Sequence, residues 1–513
     1  MTRSGVVRKN RYFDSVFLMQ VRQRLEKEPG VKQAAAVMGT ENNKQLLARL
    51  GFAGSWAASA GPNDLIVAVE GESPDTVRSM LDRVEEFLAR KAGEREGHPR
   101  TLAAGLAALP SANLAVISVP GRHAAREARG ALERGLNVFL FSSNVAVEDE
   151  LALKTLARER GLLVMGPDCG TAIIGGIGIG FANAVRRGSI GVVGPSGTGI
   201  QEFTCLVHRA GAGISHAIGT GSRDLGDAVG GASTQSALDA LEGDPGTQVI
   251  ALISKPPGAR TLAEIRARLR SCPKPVVACL LGAAEQDREW FPVHLSSTLD
   301  AAAARAVGLA KGEPAVPPAP DPTAWEGSLA RERARMASGQ KYLRGLFAGG
   351  TFCYEAQHVL QRGGLAVHSN APLDQRFALP DPMRSVGHTV VDLGDEGFTE
   401  GRAHPMIDAT LRRERLLLES HDEEAAVVLL DFILGHNASS DPVGDLLPAI
   451  AQAKRAAGRR GGYLSVVAAV CGTDDDPQGL RSQVGALCEA GVVVLPSNAQ
   501  AALYCRALVG RLA

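Results

Sequence analysis

Short apolar runs recur along this chain, each closed by a turn of small residues and followed by an amphipathic stretch. Runs of this kind read as buried strands, and the stretches after them read as helices. The clearest strands are Val31–Val37, Leu65–Val69, Leu114–Val119, Asn137–Phe141, Leu162–Met165, Ser189–Val193, Val249–Ile253 and Val276–Leu280. Further along come Thr389–Leu393, Ala426–Phe432, Leu464–Val470 and Val492–Leu495. Strand and helix alternating in this way predict an α/β protein with several doubly wound, mainly parallel sheets.

One stretch breaks the alternation. Residues 311–340 carry the run EPAVPPAPDPT and then the charged run RERAR. Proline density stiffens a chain and prevents regular structure, so this stretch is expected to be an interdomain linker leading into a helix. It separates an N-terminal half from a unit at 341–513. The N-terminal half is expected to divide into an α/β domain at 1–110 and two wound units at 111–188 and 189–310.

With 513 residues, of which 45% are hydrophobic and 21% charged, the chain can bury several cores. Its 55 basic and 55 acidic residues balance. That argues against nucleic acid as a partner, because phosphate neutralisation needs a basic excess. No apolar run reaches the ~18 residues that span a bilayer. The basic start of the chain lacks the apolar core of a secretory signal. The eight cysteines are scattered and form no CxxC pair, so neither structural zinc nor a disulfide framework is expected. These features together point to a cytoplasmic protein.

The strongest chemical signal is the turn Gly194-Pro195-Ser196-Gly197-Thr198-Gly199 after an apolar strand. Amides exposed at a helix start, with the helix dipole behind them, attract anions, and Ser196 and Thr198 add hydroxyl donors. A plain capped turn would look the same, and no Walker lysine follows the glycines. A second turn, His436-Asn437-Ala438-Ser439-Ser440, follows the strand at 426–432; Asn437 and Ser439 there can cap a helix or hold an anion. His404 and Asp408 could form a base and its orienter or be ordinary surface residues.

These residues resemble a known family. Leu114–Pro120, Met165–Gly170 and Gly191–Thr198 are similar to segments of the succinyl-CoA synthetase α subunit, and 425–513 is similar to the carboxyl-terminal domain of its β subunit. Fusion in this order resembles the FdrA family, as do the runs at Tyr12–Met19, Met38–Lys44, 345–356, 401–408 and 471–478. The resemblance implies a CoA-binding-like Rossmann unit at 111–188, a flavodoxin-type unit at 189–310 and a ligase-CoA-like domain at 341–513. It makes Ser196, Gly197, Thr198, Asn437, Ala438 and Ser439 phosphate or substrate ligands. It makes Gly39, Thr40 and Pro120 cofactor-binding positions, with CoA as the cofactor.

Three departures change that expectation. His294 lies close to the place of the family's phosphohistidine but is flanked by Trp290, Phe291 and Leu295 rather than glycines. No stretch reads as an ATP-grasp domain. The turn at 38–43 has a single glycine where a CoA loop would have several. The resemblance therefore implies a component of an oxamate carbamoyltransferase, with phosphate as co-substrate, an anionic small molecule as substrate and partner subunits in a hetero-complex. The alternatives are an acyl-CoA synthetase and a non-catalytic ligand-binding scaffold.

Overall fold

Residues 2–11, 13, 15–49, 51–52, 54–89, 99–282, 288–314, 322–399 and 402–510 are described by the computed structural model of the chain. They fall into two units, one of residues 1–98 with 393–411, the other of 99–392 with 412–513.

In the first unit, strands β1 (Thr2–Arg8), β2 (Val31–Met38) and β3 (Leu65–Gly71) form an antiparallel sheet in the order β1-β3-β2. The polar pattern of Thr2–Arg8 hides this edge strand from a reading based on apolar runs. Every residue of β3 is buried, because alternate side chains serve opposite faces. Leu65, Val67 and Val69 pack with Leu18, Val21 and Leu25 of the Ser15–Glu26 helix, while Ile66 and Ala68 pack with Leu47 and Phe52. The 393–411 segment belongs to this unit rather than to the 341–513 domain in which the sequence pattern puts it. Arg22 pairs with Asp408 at 3.1 Å, and Arg402 donates to Asn43 at 2.6 Å.

The second unit holds three sheets. Strands β4 (Leu114–Ile117), β5 (Asn137–Leu140) and β6 (Val164–Met165) are parallel. A seven-stranded sheet comprises β7 (Thr171–Ile174), β8 (Ile177–Gly180), β9 (Arg187–Gly194), β10 (Ile214–Gly219), β11 (Val249–Ser254), β12 (Val276–Leu280) and β13 (His294–Ser296). Its order is β13-β12-β11-β9-β10-β7-β8, parallel except for the β7–β8 hairpin. That hairpin lies before the 188/189 boundary expected from sequence but belongs to the sheet formed by the strands beyond it. A six-stranded parallel sheet comprises β14 (Tyr342–Phe347), β15 (Val367–His368), β16 (His388–Asp392), β17 (Ala425–Ile433), β18 (Ser465–Cys471) and β19 (Val493–Leu495) in the order β15-β16-β14-β17-β18-β19. In both large sheets the chain builds on one side of its first parallel strand and then on the other. The order therefore reverses at β9 and at β14, where open α/β sheets place ligands.

Of the 311–340 stretch, residues 315–321 lie outside the described residues. The Glu326–Arg333 helix that follows is tied to the last sheet, with Ser465 donating to Glu332 at 2.6 Å. No described helix is long and apolar enough to cross a membrane.

A buried ion cluster joins the three-stranded sheet to the seven-stranded one. Lys154, on the Val147–Glu159 helix, donates to Glu150 at 2.6 Å, to Asp224 at 2.7 Å and to the Thr220 carbonyl at 3.1 Å. Asp224 also caps the Ala232–Gly243 helix through Ser233 and Thr234. Removing the cation from such a cluster leaves two carboxylates without compensation. Lys154→Met is expected to cost about 3–5 kcal/mol in urea denaturation. A loss below ~1 kcal/mol would show that Arg223, 3.0 Å from Glu150, compensates for it.

Candidate functional site

Two helix starts face each other at the carboxyl ends of β9 and β14. The Gly197–Arg209 helix begins after Ser196, and the Gly350–Arg362 helix begins after Gly349. Neither helix is capped by the side chain of the residue before it. Instead Ser196 Oγ and Thr351 Oγ1 lie 2.7 Å apart, bonding one helix start to the other. Glycine permits the approach. A Cβ on Gly199 would stand 3.0 Å from Thr351 Cγ2, and one on Gly349 would stand 3.2 Å from Thr198 Cβ. Gly197 differs, since a Cβ there would meet only Thr171 Oγ1, at 3.7 Å. There is therefore room for a Cβ at Gly197, which is itself half-buried.

The Gly349 turn is fixed from beneath. Asp431 accepts from the Ala348 amide at 2.9 Å and the Gly349 amide at 2.8 Å, and Arg412 donates to it at 2.9 Å. Burial pushes the Asp431 carboxyl up, and Arg412 and the two amides oppose that shift. The thiols near the turns are poor nucleophiles. Burial pushes Cys169 up to about 12 and Cys353 higher still.

One turn further along each helix sits a buried glutamate. Glu202 accepts from the Asn498 amide at 3.3 Å; Glu355 accepts from the Leu299 amide at 2.7 Å and from Asn498 Nδ2 at 2.7 Å. Leu299 starts the helix after β13 and Asn498 the helix after β19. Each glutamate thus caps a helix belonging to the other sheet. The spacing Gly-Thr-x-x-x-Glu is the same in Gly197–Glu202 and Gly350–Glu355. That repeat is the signal by which Thr351 could have been found from sequence.

The structure brings Ser196, Gly197 and Thr198 to this site and sets Thr351, rather than Asn437, against Ser196. Asn437 has φ 64° and donates to the Gly180 carbonyl at 2.6 Å; Ala438 is half-buried beside it. Ser439 donates to Asp445, and Asp441 rather than Asn437 or Ser439 caps the Pro442–Arg459 helix. Pro120 precedes the Gly121–Glu133 helix at the end of β4. Gly39, Thr40, His404 and Asp408 lie in the other unit. There Gly39 donates to the Asp64 carbonyl and Thr40 Oγ1 accepts from Asn43. His404 Nδ1 accepts from the Met406 amide, while Asp408 is committed to Arg22 and Thr410 instead of orienting His404. His294 occupies the edge strand β13, paired with Val277, and burial lowers its pKa.

Two family models match the chain: the AllF heavy metal-associated domain over residues 1–102 and the CoA-ligase family over residues 346–508. Residues 1–102 contain no cysteine, and no group of three metal-ligating side chains occurs among the described residues. The first unit therefore lacks the thiolates that a soft metal takes. The two wound sheets and the match over 346–508 give an α/β protein with a CoA-ligase-like domain. The chain is 44% identical over 508 residues to the uncharacterized protein YahF of Escherichia coli, covering 98% of both, and belongs to the same family.

The alpha subunit of succinate–CoA ligase from Methanothermobacter thermautotrophicus is 32% identical over 176 residues, 33% of this chain and 58% of the relative. The ADP-forming sulfoacetate-CoA ligase subunit SauD of Bilophila wadsworthia is 25% identical over 180 residues, 33% of this chain and 60% of the relative. The chain thus spans under two thirds of these ligase subunits. ATP citrate lyase from Methanothrix soehngenii aligns over 80% of this chain and 84% of its own at 14% identity and a TM-score of 0.37, so the fold rests on the strand order above.

Burial pushes the Glu202 carboxyl up to about 7 and that of Glu355 to about 8 from an ordinary 4.5. Carboxyls held up in this way favour the folded chain while protonated. Their contribution is complete below about pH 4.5 and is lost as the pH rises through about 7 and then about 8. Unfolding free energy is therefore expected to fall across that window. In a Glu202→Gln/Glu355→Gln variant, chemical denaturation at successive pH values should give a flatter curve, and an identical slope would remove the pair as its cause.

Proposed function

We propose that the chain holds phosphate, free or as a phosphoryl group, at the Ser196–Thr198 turn, and that an acyl or carbamoyl group is exchanged with it there. The supporting observation is the Gly197 helix start, which Ser196 leaves without a side-chain cap as it bonds Thr351 instead. Such a cradle needs no nucleotide to stabilise a phosphate oxyanion. In the carbamoyl reading, implied by the resemblance to the FdrA family, hydrogen phosphate attacks the carbamoyl carbon of oxalurate. The bond from that carbon to the oxamate nitrogen breaks, the nitrogen takes the phosphate proton, and carbamoyl phosphate and oxamate leave. In this reading the amides of residues 197–199 orient the phosphate, and the Ser196–Thr351 bond holds the two starts against each other. Partner subunits supply the remaining acid–base groups in this reading.

The match to the CoA-ligase family over 346–508 favours a second reading, an acyl-CoA ligase in which a separate chain loads phosphate from a nucleotide. A phosphohistidine is the discriminating species. The carbamoyl reading expects no acid-labile phosphate on this chain after incubation with labelled ATP or carbamoyl phosphate. Stoichiometric labelling lost in His294→Asn would instead establish the ligase reading.

Phosphate binding itself is tested by Gly197→Val. A Cβ there comes no closer than 3.7 Å to Thr171 Oγ1, so the substitution is expected to fold, which thermal unfolding checks, while the anion is excluded. Losing one or two charge-assisted hydrogen bonds corresponds to at least about tenfold weaker binding. Calorimetry showing unchanged orthophosphate affinity in the folded variant would remove the assignment.

A further inference from the structure

After β16 the chain passes from the six-stranded sheet into the first unit, to which residues 393–411 belong. Side chains of that unit hold the stretch. Arg402 donates to the buried Asn43 at 2.6 Å, and Arg22 of the Ser15–Glu26 helix donates to Asp408 at 3.1 Å. The Arg22 and Asp408 side chains are only 12% and 18% exposed. Water and salt therefore screen this pair less than a surface pair.

The residues on either side of the stretch set the Gly349–Gly350 turn. Asp392 precedes it, and a Cβ on Gly350 would stand 2.5 Å from Asp392 Oδ2. Arg412 follows it, is buried, and donates to the Leu346 carbonyl at 3.1 Å and to the Asp431 carboxylate at 2.9 Å. Asp431 in turn accepts from the Ala348 and Gly349 amides.

One helix joins Asp408 to Arg412. The Thr410–Glu419 helix opens two residues after Asp408, which accepts from the Thr410 amide at 3.0 Å and the Thr410 hydroxyl at 2.6 Å. Arg412 is the third residue of that helix. The helix thus begins with residues of the first unit and continues with residues of the second. From Arg22 to Gly349 the path is Asp408, the first helical turn, Arg412 and Asp431, with a hydrogen bond or helical backbone at every step. Packed helices and hydrogen-bond networks of this kind carry energetic coupling between distant groups.

We infer that residues 402–412 act as a strap through which the first unit governs how firmly the Gly349–Gly350 turn is held, with Asp408 and Arg412 as its positioning residues. When Arg22 releases Asp408, the start of the helix loosens, Arg412 withdraws from Asp431, and the Ala348 and Gly349 amides open. The coupling is independent of what either helix start binds.

Hydrogen–deuterium exchange of the full chain, read on peptides covering 345–353, tests it in Arg22→Gln and Asp408→Asn. Asparagine can still cap the helix but removes the charge that pairs with Arg22. Exchange at Ala348 and Gly349 is expected to quicken about five- to tenfold in both variants, as one charge-assisted bond is lost. The amides of β11, a buried strand of the seven-stranded sheet, report any general loosening and should keep wild-type protection. Wild-type exchange at Ala348 and Gly349 in either variant would overturn the inference. Equal quickening in β11 would also overturn it, because the effect would then be global. The phosphate reading survives both results, since orthophosphate affinity at Gly197 tests it separately.

Discussion

The arrangement depends on the crossed capping of helices by Glu202 and Glu355. A carboxylate buried this deeply is costly unless donors meet it, and a buried helix start is costly unless its amides are met. Each glutamate settles both demands at once by bonding a helix start that belongs to the opposite sheet. Asn498 links the two, its amide bonded to Glu202 and its side chain to Glu355. The seven-stranded and six-stranded sheets are thereby held in one relation. The Gly197 and Gly350 helices, which carry the glutamates, are brought start to start in that relation. The Ser196–Thr351 bond follows from this placement, as do the small residues at Gly199 and Gly349, since no Cβ fits where the two turns approach.

Much of this fold was legible in the sequence because buried parallel strands are continuous apolar runs. The runs at 249–254, 276–280 and 425–433 are buried throughout and stand within a residue of where the pattern puts them. The missed strands fail that criterion for identifiable reasons. Strand β10 carries Ser215 and His216; β13 and β15 are three and two residues long. Strand β14 carries Arg344, whose burial is compensated by Glu419 at 3.0 Å. A charged residue inside a core strand is invisible to hydropathy and depends on a partner 75 residues away in the chain, a relation that only the folded structure displays. The hidden strand β14 also hid its turn. With no strand recognised before Gly349-Gly350-Thr351, that segment gave no sign of being a strand-to-helix anion turn.

The same logic separates the site residues that could be read from those that could not. Ser196, Gly197 and Thr198 are contiguous and follow a plain apolar strand, so local chemistry suffices to single them out. Asn437 and Ser439 share that local chemistry. Their hydrogen-bonding capacity is nevertheless spent on the β8 hairpin end and on Asp445. A helix start becomes a candidate for binding when its amides are left without side-chain caps, and the cap is a tertiary fact. Here Asp441 caps the Pro442–Arg459 helix, whereas Ser196 turns away from its own helix toward Thr351. Sequence alone weights these two serine-containing turns alike.

The lost phosphohistidine context is consistent with this arrangement. His294 lies within an edge strand whose neighbour Leu295 is buried in the core, so moving it to a phosphate would unpair β12 and β13. A phosphoryl carrier must reach two partners in turn, which requires a mobile loop rather than a strand residue. A site without a carrier must bind its phosphate and its acyl or carbamoyl donor together. Proximity then does what a covalent relay would otherwise do, because two reactants held in register react as though at very high local concentration. The crossed glutamates thus bear on chemistry as well as on stability. They hold the two helix starts against each other, and in the carbamoyl reading proposed above a direct transfer depends on that fixed placement.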